Sequence, residues 1–144
     1  MKTAQRILHT ATQLFNERGE RNVTASDIAL ELDISPGNLY YHFKGKDQLI
    51  SELFQQYERA LSDTLSAPIQ APLSTEAGSV EDNWYYLYVV LEEMYQYRFL
   101  YHNLDNILER YPDIRRRFKR LIQLKRAALY AICHTLLDQE VINA

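Results

Sequence analysis

Apolar residues recur at every third or fourth position along most of this chain, and no segment alternates apolar with polar residues as a half-buried strand does. A period of three to four gathers side chains on one face of an α-helix, whereas a strand repeats every second residue. In residues 3–18, Ala4, Ile7, Leu8, Ala11, Leu14 and Phe15 share a face, and Gly19 stands where a helix end favours a residue free to take positive φ. The four glycines and four prolines among 144 residues also argue against a loop-rich β fold. The pattern predicts an all-α protein.

The stop and start signals divide that pattern. Thr24 and Asp27 form a Thr-x-x-Asp pair suited to capping a short helix that carries Ile28, Ala29 and Leu32. Asp33 ends it, being one of the few non-glycine types that tolerate a left-handed turn position. Ser35 then suits an N-cap and Pro36 a first helical position, opening another short helix that finishes by Gly45. A longer helix is predicted over residues 46–66, with Leu49, Ile50, Leu53, Phe54, Tyr57 and Leu61 on one face. The stretch SAPIQAPLSTEAGS, residues 66–79, reads as a linker. Residues 80–110 are almost continuously helix-like with a break near Arg98–Phe99, and Pro112 precedes a last helix over 113–138. The expected architecture is an N-terminal helix-turn-helix three-helix domain over residues 1–66, joined by the long fourth helix to a C-terminal helical bundle over 80–144.

The short pair carries the functional signal. Two helices around a tight turn form the motif whose second helix enters the DNA major groove. Ile28, Leu32, Ile34, Leu39 and Phe43 can fill the wedge between them, above Ile7, Leu14 and Phe15. In SPGNLYYHFKGK, residues 35–46, the consecutive Tyr40, Tyr41, His42 and Phe43 cannot all face inward, which argues against a plain core helix. Gly37 permits close approach to a groove, Asn38 can pair with a base edge, and Tyr and His can donate to phosphates. Net charge is −3, so bulk charge gives no support for nucleic-acid binding. Locally, however, no acid lies between Ile34 and Lys46, and Lys44 and Lys46 are both basic.

The segment TASDIALELDISPGNLYYHFKGKDQLI, residues 24–50, resembles the DNA-binding core of the TetR family of bacterial transcriptional regulators, through its Leu-Tyr-Tyr-His-Phe string followed by Lys-x-Lys and Leu49. The likeness covers residues 3–65, and YQYRFLYHNLDNILERYPDIRRRF more loosely resembles the family's C-terminal domains. It implies that Thr24 touches a phosphate, that Ser35, Gly37, Asn38 and Tyr40 lie along the major groove, and that Tyr41, His42 and Lys46 hold the flanking backbone. Asp33, where the family often has Gly, adds a negative charge to the turn. The resemblance further implies a homodimer on a palindromic double-stranded operator and a C-terminal region that binds a small-molecule effector. Family members are usually longer and finish with two long helices that build the dimer's bundle, whereas this chain stops partway through that region, as a naturally short protein, a fragment or a chain with a further remainder would.

Residues 84–111 hold seven tyrosines, one tryptophan and one phenylalanine. Trp84, Tyr88, Leu91, Tyr95, Phe99 and His102 form one helical stripe, and Tyr86, Val90, Tyr97, Leu100 or Tyr101, Leu104 and Leu108 a second. A helix apolar on two faces is expected in the middle of a bundle. Trp84, Tyr88, Tyr95, Phe99 and His102 are therefore candidate ligand contacts, with ordinary aromatic core as the alternative. RRRFKRLIQLKR, residues 115–126, has seven basic residues and no acid, and reads as a solvated face, a contact with the DNA-binding half or an anion site.

His9, His42, His102 and His134 have no metal-ligand spacing, and the chain carries no nucleophile triad, paired carboxylates or phosphate-binding glycine loop. No cofactor, metal or enzyme activity is expected. The single cysteine, Cys133, and the lack of a signal-like or membrane-spanning apolar run suit a cytoplasmic protein with no membrane partner. The reading is a sequence-specific DNA-binding transcriptional regulator, a repressor released by an effector. The rival is a shortened regulator that pairs, as an interaction module, with a full-length homologue.

Overall fold

The computed structural model of the chain describes residues 2–70 and 80–138, and every regular element among them is helical. Helix α1 (Thr3–Arg18) ends at Gly19, whose φ of +83° turns the chain while its N–H still bonds the Phe15 carbonyl at 3.0 Å. A single 3₁₀ turn, Glu20–Asn22, leads to α2 (Ala25–Glu31) and α3 (Pro36–His42). Next come the 25-residue α4 (Lys46–Gln70), then α5 (Val80–Gln96), α6 (Phe99–His102), α7 (Leu104–Arg110) and α8 (Pro112–Asp138).

The predicted break at Arg98–Phe99 is present, as a turn between α5 and α6. Helix α4 runs four residues beyond its predicted end, to Gln70. The linker's first residues are thus helical, and its remainder, 71–79, lies outside the described residues.

One continuous core runs from α1 to α8. Ile7, Ala11 and Phe15 of α1 meet Ile28 and Ala29 of α2, Leu39 of α3, and Leu49, Ile50, Leu53 and Phe54 of α4, all buried. Farther along α4, Tyr57, Leu61 and Leu65 pack with α5 and with Ile114, Phe118, Leu121 and Ala128 of α8. Phe15 and Phe99 join the two parts, with ring centroids 5.2 Å apart. Each such large apolar side chain contributes about 2 kcal/mol on burial. The helix-turn-helix is consequently held by the same helix that runs beneath the C-terminal helices.

Helix α5 departs from expectation. Only its Tyr86, Val90 and Met94 side, continued by Tyr97 in the turn that follows, packs against the core. Trp84, Tyr88, Leu91 and Tyr95 on the other side are exposed, so α5 sits at the edge of the helical layer instead of its middle. Periodicity identifies an apolar face but not which neighbour covers it.

Candidate nucleic-acid interface

The placement of α3 follows from its first and last residues. The Ser35 hydroxyl oxygen accepts the Asn38 N–H at 3.0 Å, and Pro36 fills the position whose N–H would have no helical partner. Asp33 takes φ +53°, turning the chain while the Ile34 N–H bonds the Ala29 carbonyl at 3.0 Å. Leu39 and Phe43 are buried in the wedge against α1, α2 and α4. The rest of the helix is thereby turned out.

Ser35, Gly37, Asn38, Tyr40 and Tyr41 are all exposed on that outer side, with Tyr41 79% and Tyr40 57% accessible. The Lys44 ammonium lies over the Tyr40 ring, 4.7 Å from its centroid. His42 is half-buried and meets Tyr41 edge to face at 5.2 Å. The surface offers an amide, two phenols, an imidazole and a cation, and no carboxylate between Ile34 and Lys46.

Two of the residues expected to contact phosphate also bond within the protein. The Thr24 hydroxyl accepts the Asp27 N–H at 3.1 Å and donates to the Asp27 carboxylate at 2.8 Å, so its proton is committed to the α2 cap. Hydrogen bonds from the Thr24 backbone and then its side chain hold Asp27 below the ordinary carboxylate range. Lys46 turns inward: its ammonium lies 3.2 Å from the Glu20 carboxylate and also donates to the Glu20 carbonyl. The Glu20 side chain is 4% exposed and that of Lys46 20%, so most of this charge is spent inside the protein.

The five aromatic and His candidates of the second half do not line a common pocket. Trp84, Tyr88 and Tyr95 are on the exposed side of α5, Phe99 is fully buried against Phe15, and His102 is exposed at the end of α6. A full turn or more of helix separates the exposed ones, and the break after α5 reorients Phe99 and His102.

Two comparisons with known proteins cover most of the chain. Residues 7–53 match the family described as "Bacterial regulatory proteins, tetR family", and residues 56–144 match "Bacterial transcriptional repressor", the TetR C-terminal family. The chain belongs to the TetR family. A TetR-family transcriptional regulator from Marinobacter aquaeolei VT8 has the same fold, with a TM-score of 0.85 at 38% identity over 96% of this chain and 66% of that one. The transcriptional repressor KstR2 of Mycolicibacterium smegmatis is 36% identical over 72 residues, 44% of this chain and 35% of that protein. The transcriptional regulator UidR of Escherichia coli K12 is 41% identical over 61 residues, 42% of this chain and 31% of that protein. The matched stretch thus spans about a third of the length of these two curated relatives.

In this TetR-family chain the interior of the second half holds polar groups whose partners lie far apart in sequence. The Tyr57 hydroxyl bonds that of Tyr101, which also accepts from the Lys125 ammonium at 2.7 Å. Thr64 donates to one oxygen of Glu93 at 2.8 Å, while the other oxygen and the Tyr86 hydroxyl are buried without a partner. Burial first, and the Glu93 charge second, push the Tyr86 and Tyr97 phenols upward. The available signal was Glu93 itself, a lone acid within the Tyr86, Val90, Tyr97 stripe. The basic run also divides: Arg117 pairs with Glu58 and Lys125 with Tyr101, while Arg115, Arg116, Lys119, Arg120 and Arg126 face solvent.

Proposed function

We propose that this protein is a sequence-specific DNA-binding transcriptional regulator, a repressor that a small-molecule effector releases. The observation that carries the reading is the outer side of α3, where Ser35, Gly37, Asn38, Tyr40 and Tyr41 stand exposed on a helix anchored by Leu39 and Phe43. A short helix rigidly held and free of acids on its outer side suits a major groove. Asn38 reads a base edge, Tyr40 lines the groove, and Tyr41, His42 and Lys44 meet phosphates. Thr24 contributes by fixing α2, and Lys46 by fixing α4 to the turn at Glu20. The printed descriptions of KstR2 as a repressor and UidR as a regulator support the same class.

Residues 1–66 act as the DNA-binding unit and 80–144 as the effector and dimerisation unit. Two copies present their α3 helices to successive major grooves of a palindrome. The effector site is assigned to the interior between α4, α5 and α8, beside Tyr86 and Glu93, whose unpartnered atoms suit a polar ligand. A cytoplasmic location goes with this role, and no helix among the described residues is long and apolar enough to cross a membrane.

Selection from fragmented genomic DNA tests the proposal. The expected result is a palindromic site bound by two copies. Asn38→Ala relaxes base preference at one position, whereas Tyr41→Phe weakens all sequences alike. Failure to enrich any palindrome at moderate salt overturns it.

A further inference from the structure

A cleft of about 570 Å³ opens between α1 and α4 on one side and the turn from α5 to α6 on the other. It lies outside both the α3 surface and the α4, α5, α8 interior. Its walls are fixed to each other. The Asn16 amide N–H donates to the Gln96 carbonyl at 2.8 Å, and its oxygen accepts the Phe99 N–H at 3.0 Å. The volume is within the range of small-molecule sites, roughly 300–1,000 Å³.

The lining has a defined chemistry. Gln5, Gln13, Gln56 and Gln96 place four carboxamides around the cleft, beside the Asn16 amide that ties its walls together. Each amide offers donors and an acceptor, which complements hydroxyl groups that also do both. Tyr95 and Tyr97 add ring faces, and Leu8 a buried apolar floor. Arg98 is the one permanent cation in the lining, which contains no carboxylate. Its guanidinium stacks 4.3 Å from the Tyr95 ring centroid and donates one N–H to the Tyr95 carbonyl at 3.1 Å. The stacking fixes the planar fork, and its other N–H groups can take a carboxylate.

We propose that this cleft binds a small hydroxylated carboxylate, its acid group on Arg98, its hydroxyls on the glutamines and its ring against the tyrosines. Such a ligand bridges α1 and the turn that follows α5, and so stabilises the arrangement of the two that the Asn16 bonds already hold.

Calorimetric titration of the whole chain, without DNA, tests the site with three probes: quinate, myo-inositol as a polyol lacking the acid, and benzoate as an acid lacking the hydroxyls. Quinate is expected to bind with a dissociation constant below about 1 mM, and the other two at least about tenfold more weakly. Arg98→Gln weakens quinate at least about tenfold, the loss of one charge-assisted contact. Gln13→Leu and Gln56→Leu, at exposed positions that bear no part of the core, each weaken it severalfold and keep the test usable if Arg98→Gln fails to fold. Trp84→Ala, outside the cleft, leaves the affinity unchanged. Absence of saturable quinate binding up to about 10 mM overturns the proposal. So does binding that Arg98→Gln and both glutamine variants leave intact, or inositol or benzoate binding as tightly as quinate. Because no DNA enters the measurement, its failure leaves the DNA-binding reading standing, and loss of operator binding leaves this site standing.

Discussion

Lys46 sits where two roles compete for one charge. Its sequence neighbours Tyr41, His42 and Lys44 suggest a phosphate contact, yet its ammonium lies beside a Glu20 carboxylate that is almost fully buried. Removing Lys46 would strand that carboxylate in the interior, which costs far more than loss of an exposed ion pair. Lys46→Ala is therefore expected to lower unfolding stability by about 3 kcal/mol, measured by chemical denaturation, with Glu20→Gln in the same chain recovering most of it. The salt slope of DNA binding should change by less than one full phosphate contact. Gly37 tests the opposite separation. A methyl group there would come no closer than 3.9 Å to the Ser35 hydroxyl oxygen, an ordinary contact, so the fold accepts it. Gly37→Ala is expected to raise stability by about 0.5 kcal/mol through helix propensity while weakening operator binding, because the added group stands on the exposed side of α3 proposed to enter the groove. A denaturation midpoint and an operator titration on the same preparation check both halves.

At the scale of elements, α2 depends on one reciprocal cap. The Thr24 N–H donates to the Asp27 carboxylate at 2.8 Å, and the Asp27 N–H donates back to the Thr24 hydroxyl oxygen. Asp27 is held below its ordinary value of 3.8, so it binds its proton more weakly folded than unfolded. Its stabilising effect is complete above that ordinary value and is lost as the pH falls through the folded value. Asp27→Asn should therefore remove part of the pH dependence of unfolding below about pH 4, read from melting curves across an acid series. Helix α5 teaches a different lesson. Its two apolar stripes were both visible, but Trp84, Tyr88 and Tyr95 are exposed while Tyr86, Val90 and Tyr97 face α4 and α8. Helical period sorts residues into faces and is silent on which face meets a neighbour.

Over the whole molecule, contacts far apart in sequence hold the two halves together. Asn16 of α1 bonds the α5–α6 turn, while Arg110 and Tyr111 donate to Asp47 at 3.0 and 2.7 Å, just beyond the helix-turn-helix. Several of the phenols at these junctions resist ionisation. Burial raises Tyr57, Tyr86, Tyr97 and Tyr111 above their ordinary value of 10, with added contributions from Tyr101 at Tyr57 and from Asp47 at Tyr111. A phenol held neutral in the folded state contributes stability below the unfolded value and loses it as the pH rises toward the folded one. Stability should accordingly fall above about pH 10, with the share of tyrosinate absorbance that comes from these buried phenols appearing together with loss of helical signal. Tyr57→Phe should soften that alkaline transition.

The helix-turn-helix was legible because its determinants are local. Thr24, Asp27, Asp33, Ser35 and Pro36 set caps and a turn within a few residues, and Leu39 and Phe43 fix which side of α3 turns outward. Helical class, the break before Phe99 and the outward placement of Asn38, Tyr40 and Tyr41 followed from the sequence by itself. Tertiary structure decided what depended on partners distant in the chain: Glu20 claiming Lys46, α4 and α8 choosing one face of α5, and Asn16 joining α1 to the cleft wall. A charge or a ring in a sequence has a known chemistry and an unknown neighbour, and burial beside that neighbour determines whether it binds a ligand or holds the fold.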